Sequence, residues 1–226
     1  MLEKFHVAKE DIIHIEEERL RSVTKEILMT QDISEKDALL ATDALIKADL
    51  RGVESHGVSN MLRAYLGAFK SNSLNPKPNW KIVKETASCA TINSDNGLGI
   101  VVAPQAMEIA VEKAKKTGAG IVTMNNCGHL GMLAYHSMIA SDNDMIGTTM
   151  AACSPRMVPT YSSVRALGTN PISYSAPADK LPDFVFDAAM TSVAGNKIVL
   201  ASRLNVPLSP GWIADKDGNP IMEEVN

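Results

Sequence analysis

Two of the five histidines in this chain stand beside glycine on short polar turns: His56 in 55-SHGV-58 and His129 in 125-NNCGHLG-131. An imidazole titrates close to neutrality, so a histidine held on such a turn suits proton exchange with a hydroxyl or carbonyl oxygen. His56 precedes a helix whose first residues, Ser59 and Asn60, would offer backbone N–H groups to a substrate carboxylate. His129 falls at the end of a strand, the edge at which α/β proteins collect ligands. His136, two turns along, reads as a helix-face residue. A metal centre joining His56, His129, His136 and Asp187 lacks close i, i+4 ligand spacing and is not favoured.

Two further loops have side chains of the right type to hold a ligand. In 166-ALGTNPIS-173, Thr169 and Asn170 sit on a turn led by glycine and closed by proline, which fixes polar side chains just before a strand. In 183-DFVFDAAMTS-192, Asp187 interrupts an apolar run, either as a helix cap or as a partner for a histidine or a ribose. The glycine pair in 96-NGLGIVVAPQAM-107 follows a β-like stretch, but Val102 stands where a GxGxxG dinucleotide turn needs its third glycine. A standard Rossmann turn is therefore not expected there, and Gly97 and Gly99 read as turn residues ahead of a surface helix.

The elements that must position these residues follow from periodicity. Apolar positions at helical spacing predict helices over 16–29 and over 34–52, the second opened by Ser34 with Asp37 reaching back as in a capping box. A third helix is expected from a cap at Ser59 or Asn60 and ends at the turn-rich 71-SNSLNPKPN-79. Beyond it, β-like stretches at 81–95, 119–126, 145–153, 172–178 and 184–190 alternate with helical ones at 104–116, 130–142 and 192–204, Pro104 being placed in the first helical turn. The expectation is an α/β fold in two parts. A helical N-terminal unit spans 1–75, and a cofactor-binding domain spans 76–226, with a mixed, largely covered sheet that is not a standard Rossmann fold.

Composition narrows the functional classes. Apolar residues make up 45% of 226, charged residues 21%, and the net charge is −4, which suits a globular enzyme and disfavours a nucleic-acid partner. Cys89, Cys127 and Cys153 are widely spaced with no CxxC pair, a pattern suited to a reducing cytoplasm. No stretch approaches the ~20 apolar residues of a membrane span, and the N-terminus has no apolar signal core, so a cytoplasmic protein is expected.

Taken in order, 55-SHGV-58, 125-NNCGHLG-131, 168-GTNPI-172, 185-VFDAAMTS-192 and 211-GWIADKDGNP-220 closely resemble the malate/L-lactate dehydrogenase family, which also includes ureidoglycolate and sulfolactate dehydrogenases, diketogulonate reductase and piperideine-2-carboxylate reductase. The resemblance implies an oxidoreductase that uses NAD or NADP and acts on a small 2-hydroxy or 2-oxo acid, malate- or lactate-like. It implies that His56 and His129 are catalytic, the latter treated as a proton acceptor in some members. Ser154, Asp187, Ala188 and Ala189 are the implied cofactor contacts. Ser55, Arg63, Thr169 and Asn170 are the expected substrate-side residues, and no metal is implied. Many relatives carry an arginine four residues after the Ser-His-Gly histidine; here that position is Asn60, and Arg63, one turn further, carries the guanidinium fork suited to the same carboxylate. The resemblance further implies a homodimer and a polypeptide that continues past the GWIADKDGNP loop; the apolar helix around Met61 and Leu62 would either belong to the dimer contact or pack within its own domain. A chain that keeps the pocket but binds without turnover is the alternative expectation.

Overall fold

The computed structural model describes residues 3–6 and 8–225. Its backbone divides into two compact units, the larger made of Ile15–Thr149 and Ser173–Phe186 and the smaller of Met1–His14, Met150–Ile172 and Asp187–Asn226.

Three helices open the larger unit: α1 (Glu17–Met29), α2 (Glu35–Leu50) and α3 (Val58–Lys70). Ser34 caps α2, its Oγ accepting from the Asp37 N–H at 3.1 Å while its own proton goes to the Asp37 carboxylate at 2.8 Å. The capping pair thus forms, but Asp37 reaches the Ser34 hydroxyl. Gly52, at φ +70°, ends α2 in the left-handed conformation that glycine adopts without cost, and Val53 N–H closes the helix on the Ala48 carbonyl at 2.8 Å. The chain then makes one 3-10 turn, Glu54–His56, before entering α3.

The start of α3 differs from the expectation at Ser59 or Asn60. Gly57 is the cap position, and the acceptor for the first N–H, that of Val58, is the carboxylate of Asp49 on α2, at 2.8 Å. The cap is thus a side chain from the preceding helix, placed there by the crossing of α2 and α3, and not a local hydroxyl.

The next element is a mixed sheet, β1 (Lys81–Glu85), β2 (Cys89–Asn93) and β3 (Ile121–Asn125), with β1 antiparallel and β3 parallel to the central β2. The parallel connection is made by α4 (Gly99–Thr117). This helix begins five residues earlier than expected and carries Pro104 in its interior, where proline forgoes the bond to the Ile100 carbonyl. It is also no surface helix at this end. Ile100, Val101 and Val102 are buried, and the free energy of covering that apolar run outweighs the lost bond. Ile100 and Val101 join Leu28, Leu45, Met61, Leu62, Tyr65 and Phe69 in the main core, while Val102 packs with Ile92 and Ala106 over the sheet.

Two consequences correct the sequence reading. Met61 and Leu62 are 5% and 9% exposed and face this core, so they are not a free contact surface. The sheet is not largely covered: β1 is exposed along its whole length and β3 alternates exposed with half-buried residues, so only β2 carries buried positions. Helix α5 (Leu133–Ser141) and strands β4 (Gly147–Met150), β5 (Ile172–Ala176) and β6 (Phe184–Ala188) follow, in sheet order β4-β5-β6. Within the larger unit, Ala48, Met132 and Ala134 form a small cluster against Val185.

In the smaller unit, α6 (Gly195–Leu204) packs Leu200 and Ala201 with Phe5, Leu208 and Trp212, the rings of Phe5 and Trp212 stacking at 6.3 Å. Among the described residues no helix is long and apolar enough to cross a membrane.

Candidate active site

The loop that carries His129 is built by glycines at the carboxyl ends of parallel strands β2 and β3. The two strands continue to pair past their ends, Ser94 N–H to the Asn125 carbonyl at 3.0 Å and Asn96 N–H to that of Asn126 at 2.8 Å. Gly128 N–H then donates to the Gly97 carbonyl at 2.8 Å. At Gly99, the first residue of α4, a Cβ would lie 2.4 Å from the Gly128 oxygen and 2.6 Å from that of His129. Gly99 is therefore required for close approach of helix and loop, which is a different service from the turn geometry expected of it.

His56 sits on the other wall. Its turn is fixed from three directions: Asn60 Nδ2 donates to the Ser55 carbonyl at 2.9 Å, Asp49 holds Val58, and the His56 N–H closes on the Val53 carbonyl at 2.9 Å. Gly57 has an extended backbone that any residue could adopt, φ −84° and ψ −175°, so its glycine is not there for conformation. A Cβ at Gly57 would fall 1.7 Å from Asp49 Oδ1, and the space it leaves is occupied by that carboxylate. The anion expected at the helix start is thus already supplied by the protein.

The two imidazoles meet. The rings of His56 and His129 stack with centroids 5.5 Å apart and planes within 10°. Ser55 Oγ lies 2.9 Å from His56 Nδ1. Tyr65, which is 2% exposed, puts its hydroxyl 2.9 Å from His129 Nδ1, and Gly131 N–H donates to the same nitrogen at 3.2 Å. Burial, and then the cost of a second positive charge beside the His129 ring, push the His56 pKa from 6.5 to about 4, which keeps the His56 ring neutral at pH 7. Burial raises the Tyr65 phenol well above its ordinary range, so its proton stays in place. Asp49 is pushed up by burial and by Glu54, against the lowering effect of the Val58 N–H.

The other residues singled out by sequence fall as follows. Arg63 is exposed, two residues and so about 200° around α3 from buried Tyr65. His136 is buried at 1% exposure, its Nε2 on the Leu130 carbonyl at 2.7 Å and its pKa lowered to about 4 by burial. It braces the loop next to His129. Ser154, Thr169, Asn170, Asp187, Ala188 and Ala189 belong to the smaller unit. There the GTNP turn laces neighbouring segments together: Asn170 Oδ1 accepts from the Cys153 N–H at 3.0 Å, next to Ser154, and the Thr169 carbonyl accepts from the Met190 N–H at 2.8 Å, next to Ala189. Ser154 and Asp187 are exposed. Among the described residues no group of three or more His, Cys, Asp and Glu side chains is arranged to hold a metal ion.

Sequence reasoning missed Tyr65 and Asp49. Tyr65 reads as one more member of an apolar helical stripe, yet a tyrosine placed in a core needs a partner for its hydroxyl, and that demand is a usable signal. Asp49 carries no such signal, because its role depends on where α3 crosses α2.

The sequence profile of the family described as malate/L-lactate dehydrogenase matches residues 15–223. The L-sulfolactate dehydrogenase of Methanocaldococcus jannaschii is 39% identical over 198 residues, which cover 88% of this chain and 57% of that protein. The malate dehydrogenase of Pyrococcus horikoshii is 38% identical over 219 residues, 97% of this chain and 60% of that protein. The solved structure of the M. jannaschii sulfolactate dehydrogenase superposes with a TM-score of 0.84 at 37% identity, covering 93% of this chain and 61% of the other. The chain thus spans 57% to 60% of the length of these two curated relatives.

Proposed function

Because the chain belongs to the malate/L-lactate dehydrogenase family, we propose that it interconverts a small 2-hydroxy acid and its 2-oxo acid with NAD or NADP. Malate, lactate and sulfolactate share the 2-hydroxy acid head, and a malate- or lactate-like acid is the proposed substrate. What supports the reading above all is the stacked pair of imidazoles on two rigid turns, one ring held neutral by burial. Nicotinamide, when bound, supplies or accepts the hydride at substrate C2.

Every other step belongs to the protein's own residues. In the oxidative direction neutral His56 takes the proton of the C2 hydroxyl, and Ser55 steadies the far nitrogen of the ring as charge develops. His129 polarises the same oxygen. Arg63, exposed on the far side of α3 from Tyr65, remains the proposed partner of the substrate carboxylate on its charge and fork alone, since no contact among the described residues aims it at the imidazole pair. The residues of the smaller unit fit a dinucleotide: the exposed hydroxyl of Ser154 and carboxylate of Asp187 are the types that a ribose takes, and Ala188 and Ala189 leave the backbone approachable. Thr169 and Asn170 line the same loop cluster. On this reading segments 1–75 and 76–226 are the two functional parts, the second carrying the cofactor, in a cytoplasmic homodimer.

The test is a panel of 2-oxo acids, among them oxaloacetate, pyruvate and sulfopyruvate, offered to the full chain with NADH and with NADPH. At least one pair should show oxidation of the reduced cofactor, and His56→Ala should lower turnover by about 10²–10⁴-fold while fluorescence still reports cofactor binding. Binding with no oxidation by any acid would assign the chain a silent binding role in place of this one.

A further inference from the structure

We propose that Tyr65 is a positioning residue that, together with the Gly131 N–H, fixes His129 with its proton on Nε2, so that His129 acts as a hydrogen-bond donor and His56 alone moves the proton. The inference rests on the dehydrogenase reading only for the reaction to which it is applied. The tautomer itself follows from the hydrogen bonds.

A backbone N–H has only a proton to give. Gly131 N–H points at His129 Nδ1 from 3.2 Å, so that nitrogen must present its lone pair. The Tyr65 hydroxyl, 2.9 Å from the same atom, is bound by the same condition and donates. A neutral imidazole with Nδ1 bare carries its proton on Nε2. The geometry of both donors is built in. Gly131 has φ +66°, and a Cβ there would meet Ile100 Cγ2 at 2.6 Å, so the residue that aims its N–H at the ring is fixed as glycine both by conformation and by space. Tyr65 is fully enclosed in the α1–α4 core. Its phenol, raised by that burial, does not ionise and remains a donor.

His56 is held differently. The partner of its Nδ1 is the Ser55 hydroxyl, which donates or accepts with equal ease by rotating about one bond. His56 is therefore free to carry its proton on Nδ1, presenting Nε2 as a base, and to become imidazolium when that base is used. His129 has no such freedom, because a proton on its Nδ1 would face the Gly131 N–H head on. Two rings stacked at 5.5 Å also disfavour a second positive charge beside the first. The asymmetry of the partners, rotatable hydroxyl against fixed amide, divides the labour between two rings of identical chemistry. A loop histidine used as proton acceptor needs the opposite tautomer.

The test is long-range ¹H–¹⁵N NMR of the histidine rings in the full chain labelled with [¹⁵N]histidine, with His129 assigned by the signal lost in His129→Gln. The expected result is Nε2–H for His129, kept in Tyr65→Phe because the Gly131 N–H still faces Nδ1, with the Nδ1 resonance of that variant shifted as one of its two donors is lost. The same variant should lower kcat about tenfold with KM within about twofold and leave the limb of the pH–rate profile set by His56 in place. Nδ1–H in the unaltered protein, or a Tyr65→Phe variant in which neither the His129 Nδ1 resonance nor kcat moves, would overturn the proposal. Absence of turnover with every 2-oxo acid, alongside the Nε2–H signal, would overturn the dehydrogenase reading and leave the tautomer assignment standing.

Discussion

Replacing Gly57 with alanine isolates the contact that holds the His56 turn. The added Cβ would lie 1.7 Å from Asp49 Oδ1, 2.3 Å from its Cγ and 2.8 Å from Oδ2, so the carboxylate has to leave. Its departure breaks the 2.8 Å bond from Val58 N–H that caps α3. Loss of such a cap costs about 1 kcal/mol, and a displaced carboxylate that remains partly buried without its donor adds about 1–2 kcal/mol. The expected destabilisation is about 2–3 kcal/mol, which for a protein of this size lowers Tm by about 4–12 °C. The assay is a double-mutant cycle by thermal melting, with Gly57→Ala made in the unaltered protein and in Asp49→Ala. Once the carboxylate is gone the backbone at 57 tolerates alanine, whose restricted unfolded state even contributes up to ~1 kcal/mol, so the second cost should be near zero or reversed. Equal costs in the two backgrounds would refute the steric argument. Asp49→Asn keeps an acceptor for Val58 and removes a charge disfavoured by burial and by Glu54. Because the folded pKa of Asp49 is raised, its contribution is greatest in acid and is withdrawn as pH rises through that pKa. The Asp49→Asn variant should accordingly gain on the unaltered protein toward neutral pH and lose the advantage in acid.

Other outcomes follow from the same geometry. His136 has its folded pKa lowered from 6.5 to about 4, so its contribution is present above 6.5 and is lost as pH falls toward 4. At ~1.4 kcal/mol per pKa unit this is about 3 kcal/mol, and urea midpoints measured between pH 7 and 4 should fall less steeply in His136→Gln; parallel curves would contradict it. Gly99→Ala drives a Cβ to 2.4 Å and 2.6 Å from two backbone oxygens, which cannot step aside as a side chain would. It should cost about 3 kcal/mol or more and reduce turnover by moving the His129 loop, and a melting temperature within ~2 °C of the unaltered protein would count against it.

Much of the fold is legible in the sequence because its signals are local. The helices at 17–29 and 35–50 and the strands at 121–125, 172–176 and 184–188 lie within the stretches marked by their apolar residues, a signal carried by residues close together in the chain. The reading fails where a distant partner sets the local outcome. Pro104 suggests a helix start, but the apolar run 100–103 needs covering and carries α4 past it. Ser59 has the side chain of a cap, but α3 starts one residue before it and the Asp49 carboxylate on α2 takes the Val58 N–H. Met61 and Leu62 look available to a second subunit until α1, α2 and α4 close over them.

The candidate site divides along the same line. Residue type and neighbouring glycines single out His56 and His129, because an imidazole on a tight, glycine-bordered turn is unusual enough to be seen in one dimension. That the two rings stack, that Tyr65 and Gly131 face one nitrogen of His129, and that Asp49 fills the space beside Gly57 are relations between residues far apart in the chain. Hydrogen-bond direction and steric exclusion act only over a few ångströms, so which proton sits on which nitrogen was settled when the helices packed and not before.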